Sequence, residues 1–237
     1  MDLKDQSVVV MGGSSGIGLA TAKVLAKSGA RVTITGRDKS KLDAACLHSN
    51  MAGEVVDATS ATALTTFYQQ LGPFDHLVLT LSGGEGGGPF PKLDINALRR
   101  GFEGKFWPQI SAAQAALNTL RSNGSLTFVT AVSARRANPN TAGLAAINGA
   151  LEAMVRVLAA ELKPLRVNAV SPGVIETPWW DRIPEKPRRT MLASLASAAA
   201  VGRVGHPEEV AEAFVFLVRN DFMSGAIIEC DGGLKLI

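Results

Sequence analysis

The chain has 237 residues, 46% of them hydrophobic, and a formal net charge of +3. That length suits one large α/β domain over residues 1–237, with no proline- or serine-rich linker to divide it, and so mild a charge, spread along the chain, excludes the basic footprint of a nucleic-acid binder. The charged opening Met1 to Asp5 and the lack of any run of 18 or more apolar residues predict a cytoplasmic protein without membrane attachment, and the distant Cys46 and Cys230 suggest neither a disulfide framework nor a zinc site.

The first predicted strand, Val8 to Met11, runs straight into Gly12-Gly13-Ser14-Ser15-Gly16-Ile17-Gly18. In a strand–turn–helix unit Gly12 allows the tight turn and Gly16 lets the backbone approach a pyrophosphate. Gly18 lets the helix pack closely, with its N-terminal N–H groups facing the anion. Leu19 to Ala26 continues as helix, Ser28-Gly29 closes it, and Arg31 to Thr35 is the second strand, so a βαβ unit fits within about 30 residues.

A polar helix from Ser40 to His48 follows, then a short strand from Glu54 to Val56 ending at Asp57, a helix from Ala61 to Leu71 and a strand from His76 to Thr80. Ser82 to Pro89 is a glycine loop. A helix runs through Phe102 to Leu120, and Asn123-Gly124 reads as the turn into a strand from Ser125 to Ala131. Gly143 to Leu162 is a strong helix, with Leu144, Ile147, Leu151, Met154, Val155, Leu158 and Leu162 on one face and a Glu152–Arg156 pair on the other.

The strand from Arg166 to Ala169 stops at Ser171-Pro172-Gly173. Glu176 to Val201, proline-rich with tryptophans early and alanines late, reads as an excursion over a site, and residues 179–201 as a substrate lid. A helix from Glu208 to Val218 and a strand from Ala226 to Cys230 complete the chain. Strands alternating with helices predict a mainly parallel sheet covered on both faces, with ligands at the carboxyl ends of the strands. Arg135-Arg136, after a strand end, are either a solvated loop edge or a seat for an anionic substrate.

The ordered set resembles the short-chain dehydrogenase/reductase family over essentially the whole chain. It comprises the glycine fingerprint, Gly36-Arg37 after the second strand, Asp57 after the third and Ser82-Gly83 after the fourth. Arg166 to Gly173 with Thr177-Pro178, and Asp231-Gly232-Gly233, complete it. The resemblance implies a single-domain Rossmann fold with a doubly wound seven-stranded parallel sheet, an NAD or NADP cofactor, a small-molecule substrate and a homotetramer or homodimer with the 143–162 helix in an interface. It places the cofactor against Gly12, Ser14, Ser15, Gly16, Ile17, Gly18, Arg37, Asp57, Ala58, Ser82, Gly83, Asn148, Pro172, Gly173, Val174 and Thr177.

An NAD enzyme of this type holds the ribose 2′-OH with an acidic residue at the end of the second strand, where this chain has Gly36 followed by Arg37. An arginine pairs bidentately with a 2′-phosphate, and Ser14 and Ser15 add hydroxyl donors, so NADP(H) is expected over NAD(H). The alternative is that Arg37 caps a solvated loop beside Asp38.

The family's catalysis rests on a Ser, a Tyr-x-x-x-Lys pair and an Asn. Alignment sets Ala131 at the Ser, Leu144 at the Tyr, Asn148 at the Lys and Lys105 at the Asn, and Thr80-Leu81-Ser82-Gly83 stands for Asn-Asn-Ala-Gly. The chain's one tyrosine, Tyr68, precedes the fourth strand. Ser133 is a substitute hydrogen-bond donor to a carbonyl or a turn-forming serine; Lys105 is a proton donor if burial lowers its pKa, or a solvated helix lysine; Asn148 is suited to the nicotinamide ribose. Trp179 and Trp180 line an apolar substrate pocket or pack under a lid. Two functions follow: an NADP(H)-dependent oxidoreductase with a non-standard site, acting on a carbonyl or activated alkene in an apolar or carbonyl-containing small molecule, or an inactive NADP(H)-binding sensor or regulator.

Overall fold

Along β1 (Ser7–Met11), Val8 and Val10 face one side of the sheet and Val9 and Met11 the other, as the two-residue period of a strand requires. The computed structural model describes residues 2–236; Met1 and Ile237, the ends of the predicted domain, lie outside the described residues. The remaining strands are β2 (Arg31–Gly36), β3 (Ala52–Val55), β4 (Phe74–Leu79), β5 (Leu120–Val129), β6 (Arg166–Pro172) and β7 (Ile227–Cys230). All seven join in one parallel sheet, in the order β3-β2-β1-β4-β5-β6-β7.

Helices α1 (Gly16–Lys27), α2 (Lys39–Cys46) and α7 (Pro207–Arg219) bury Leu25, Leu42 and Phe214 on the Val8/Val10 side. On the other side α3 (Ala61–Leu71), α4 (Ile95–Ala116) and α5 (Ala142–Glu161) bury Leu64, Ala112 and Leu151. This is the parallel sheet covered on both faces that the alternating pattern predicts, and the doubly wound Rossmann arrangement that the family resemblance implies, with the strand order reversing between β1 and β4. The excursion after β6 folds as a short 3-10 turn, Pro178–Arg182, and helix α6 (Glu185–Ala198).

The structure corrects several sequence expectations. β3 spans Ala52–Val55 rather than Glu54 to Val56, and its four residues are exposed, so pairing with β2 at the sheet edge sets its bounds and apolar burial does not. α4 ends at Ala116, and Asn123-Gly124 lie inside β5, where the pairing slips from Phe74–Leu120 to His76–Ser125. Residues that favour a turn also serve an extra loop within a strand. Glu152 does not pair with Arg156 on the surface: it is 8% exposed and turned inward to Arg135.

Among the described residues α5 alone is long and apolar enough to cross a membrane, with a mean hydropathy of 1.4. Its Ile147, Leu151 and Val155 are buried against the protein, Asn148, Glu152 and Arg156 interrupt the apolar run, and Ala142, Ala146, Ala153 and Val157 are exposed, so one face packs on the sheet and the other does not.

Arg166 fastens β6 to the end of α7. Its guanidinium donates to the carbonyls of Leu217 at 2.7 Å, Val218 at 2.9 Å and Asn220 at 3.0 Å, which lie at or just beyond the last turn of α7, where carbonyls lack helical donors. Arg166→Met strands these carbonyls; the expected loss is about 2–4 kcal/mol, read as a lower urea midpoint with an unchanged slope.

Candidate active site

The turn after β1 is fixed by what it must fit. Gly12 has φ of +82°, and a Cβ there would lie 3.1 Å from the Thr80 carbonyl; a side chain at Gly18 would strike the Gly12 carbonyl and the Thr80 hydroxyl. Thr80 itself donates its hydroxyl at 2.7 Å and its backbone N–H at 2.9 Å to the Met11 carbonyl. This close packing starts α1 directly above the crevice, with Ser14, Ser15, Gly16, Ile17 and Gly18 along one wall.

One cavity of about 1620 Å³ runs along the carboxyl ends of the strands. That exceeds the roughly 300–1,000 Å³ of a site for a single small ligand and leaves room for two. At one end lie Gly12, Ser14, Gly36, Arg37, Asp57 and Ala58; in the middle Ser82, Gly83, Pro172, Gly173, Val174 and Thr177; at the far end Lys105, Ser133, Leu144 and the two tryptophans. A Cβ on Gly16 would be 3.4 Å from Thr177, so the segments after β1 and β6 face each other. Of the predicted site residues only Asn148 is absent from the wall: it is 4% exposed, behind Ser133.

At the Arg37 end both carboxylates are committed locally. Asp38 caps α2, accepting from the Lys41 N–H and the Ser40 hydroxyl, and the Ser40 bond chiefly holds its pKa down. Asp57 accepts the Thr59 N–H and hydroxyl, which lower its pKa, with a smaller contribution from Arg37. A Cβ at Gly36 would lie 3.0 Å from Ser14 Oγ, so the serine fills the space an acidic side chain there would use.

At the other end the lysine on α4 is buried, not solvated. Lys105 is 8% exposed, and its Nζ donates to the Thr130 carbonyl at 2.9 Å. Burial pushes its pKa down to about 7, an effect that Glu152 offsets in part. One helical turn on, Gln109 is fully buried and donates to the carbonyls of Leu81 and Val129, both at 3.1 Å, tying the ends of β4 and β5 together. The sequence reading missed Gln109; its signal was the four-residue spacing from Lys105, which puts both on one face of α4.

The strand that was to carry Ser133 stops at Val129, and Ser133 lies instead in a short 3-10 turn, Val132–Ala134, yet still reaches the wall. Its Oγ accepts from Asn148 Nδ2 at 3.0 Å, and the same amide donates to the Leu144 carbonyl at 2.9 Å. Asn148 Oδ1 is buried without a partner.

The turn is braced by Glu152, which accepts from the Thr130 hydroxyl at 3.0 Å and Arg135 Nε at 2.8 Å. Arg135 also pairs with Glu229, and Glu229 with Lys235. Arg135 is therefore unavailable to an anionic substrate, and of the Arg135-Arg136 pair only Arg136 faces the cavity. Tyr68 lies in the core under β1, its hydroxyl 3.5 Å from Met11 Sδ, and burial raises its pKa; it does not line the cavity.

A lysine depressed on folding is charged in both states below about pH 7, and in the unfolded chain alone between about 7 and its ordinary 10.5. The unfolded chain then binds more protons, so this residue makes stability rise with pH across that window. Lys105→Met is expected to lose that rise: relative to wild type it is most stable near pH 6, and the advantage shrinks by about pH 10, as urea midpoints will show.

A family profile described as Enoyl-(Acyl carrier protein) reductase matches residues 12–235. The chain is 32% identical to the cis-4-hydroxycyclohexanecarboxylate dehydrogenase of Sinomonas cyclohexanicum, over 98% of both proteins. It is 30% identical to the 3-oxoacyl-[acyl-carrier-protein] reductase FabG of Thermotoga maritima, over the whole of both. Among solved structures, a small-chain dehydrogenase in complex with NADPH superposes with a TM-score of 0.86 at 30% identity, covering 99% of this chain and all of that one.

Proposed function

The chain belongs to the short-chain dehydrogenase/reductase family, and from that membership we propose that it is an NADP(H)-dependent oxidoreductase that reduces a carbonyl or activated alkene without the family's tyrosine acid. The observation that supports this reading most is the continuous cavity, which joins the glycine turn and Arg37 to the buried ammonium of Lys105.

The residues present fit the cofactor. The turn at Gly12 to Gly18 leaves a cradle that side chains would fill, Ser14 occupies the place of an acidic ribose ligand, and Arg37 lines the same end, with no carboxylate within ion-pairing reach among the described residues. NADPH bound to a structural relative supports the same choice. Asn148 lies behind Ser133 and off the cavity wall, so it positions Ser133 through its amide instead of meeting the cofactor ribose. Asp57, Ala58, Ser82, Gly83, Pro172, Gly173, Val174 and Thr177 complete the cofactor wall.

When bound, the reduced nicotinamide supplies a hydride to the carbonyl carbon. The oxygen then needs one proton. Lys105 holds three, of which one bonds Thr130, and at about 7 its pKa suits a general acid at neutral pH. Ser133 accepts from Asn148 and so has its own hydroxyl proton to offer the substrate oxygen. Ala131 and Leu144, at the family's Ser and Tyr positions, take no part in proton transfer. Residues 179–201 act as a lid that excludes water, and the exposed Ala142, Ala146, Ala153 and Val157 on α5 support pairing between copies of the chain.

Two measurements test the reading. Arg37→Ala should weaken NADPH binding about 10- to 100-fold, the worth of a charge-assisted pair, and leave NADH binding little changed, as followed by cofactor fluorescence. Against a panel of carbonyls, quinones and enones, Lys105→Met should lower kcat about 10²- to 10⁴-fold. The wild-type rate should fall as pH rises through about 7, where Lys105 loses its proton. Cofactor binding with no turnover of any panel member would favour the sensor.

A further inference from the structure

Beyond the nicotinamide end, the cavity has apolar walls from Leu144, Trp179, Ile183, Met191 and Leu195, and within them stands a stacked cation. The Arg182 guanidinium lies 3.0 Å from the Trp179 ring centroid. Its other neighbour is Gly84 of the loop after β4, where a Cβ would sit 2.7 Å from the guanidinium carbon, so the loop glycine makes the space it occupies.

The platform beneath it is rigid. Trp179 Nε1 donates to the Gly83 carbonyl at 2.9 Å, Trp180 Nε1 to the Ile175 carbonyl at 2.8 Å, and the two rings meet edge to face with centroids 4.7 Å apart. Stacking covers the flat face of a guanidinium and leaves its N–H donors directed outward in the plane.

Other arginines near this end are spent. Arg188 pairs with Asp181, Arg189 with Glu185, Arg135 with Glu152 and Glu229, and Arg100 with Glu85. Among the described residues no carboxylate pairs with Arg182, and partial burial lowers its pKa with no acidic group to offset it. Lys186 also lines the cavity and adds a second cation from the same segment, so the field there favours an anion.

We propose that Arg182 is a specificity residue that binds a carboxylate on the substrate, so that the natural substrate is a ketone or enone with an apolar body and a free carboxylate. The inference rests on the reductase reading above and names the substrate class for that site. Arg182 is placed to hold the carboxylate by two parallel N–H bonds while the apolar body lies along Leu144, Ile183 and Met191.

The test compares acetophenone with 4-acetylbenzoate, which differ by the carboxylate. With NADPH, wild type should favour the acid about 10- to 100-fold in kcat/KM, and Arg182→Met should bring the ratio to about one. Separately, 4-acetylbenzoate added to the NADP-saturated protein should quench tryptophan fluorescence in wild type, less so in Trp179→Phe, and not in Arg182→Met, while acetophenone should not. If neither ketone is reduced but the quench and its loss are seen, the reductase reading fails and the carboxylate site stands. Equal turnover of the two ketones by wild type overturns the site, as does a loss of NADPH affinity in Arg182→Met equal to its loss for the acid. Should that variant not fold, Gly84→Ala, which displaces the guanidinium, is expected to lower the same ratio; an unchanged ratio would count against the site.

Discussion

The constraint on which the site depends is the contact where β1 and β4 part. Two donors of Thr80 converge on the Met11 carbonyl, and the backbone of Gly12 and the first turn of α1 close over the same threonine. No side chain fits between them. That fixes how far α1 stands from the strand ends, and hence where its free N–H groups aim. The helices from β1 and β4 then leave on opposite faces of the sheet, which opens the crevice between them. The same residue in the family's loop is an asparagine; here a threonine meets the packing requirement with its hydroxyl and N–H alone.

At the other end of the crevice the organising cost is electrostatic. A lysine on α4 buried to 8% exposure needs a partner, and the one it has is a neutral carbonyl. Glu152 is close enough to raise its pKa somewhat but is itself held by Thr130 and Arg135. A direct ion pair would keep the lysine charged throughout the accessible pH range, whereas a carbonyl partner leaves it titrating near neutrality. The chain from Glu152 through Arg135 and Glu229 to Lys235 therefore has two effects: it braces the turn that carries Ser133, and it keeps the carboxylate from capturing the lysine.

Much of this was legible in the sequence, and the division follows the range of the interactions. Gly12, Gly16 and Gly18 were readable because backbone conformation and close approach restrict the residue type locally, and the strand–helix alternation because burial has a period. Asn123-Gly124 misled because a turn and an irregular strand start ask for the same residues. Glu152 misled because i, i+4 spacing to Arg156 says nothing about which way a carboxylate turns when a second arginine, Arg135, lies in a different element. Gln109 and Arg182 went unnoticed because each depends on a neighbour distant in sequence, the ends of β4 and β5 in one case and Trp179 with Gly84 in the other. Arg37 was legible as a type and position, but its freedom from Asp38 needed the cap that holds that carboxylate.

The placement of cations along the cavity gives it a direction. Arg37 and Lys41 stand at one end, Arg182, Lys186 and Lys105 toward the other, and of these Lys105 is the one whose charge is conditional near pH 7. Permanent cations bind and orient; a group that titrates at working pH can exchange a proton with a bound molecule. A phosphate or carboxylate directly beside a low-pKa lysine would raise its pKa and hold the proton. Lys105 avoids that capture because its bond goes to a neutral carbonyl and Glu152, the carboxylate that raises its pKa, is itself held by Thr130 and Arg135. In the proposed reading, a site without tyrosine keeps the physical requirement tyrosine meets in the family: a proton held loosely enough to leave, here on an ammonium whose hydrogen-bond partner is a neutral carbonyl.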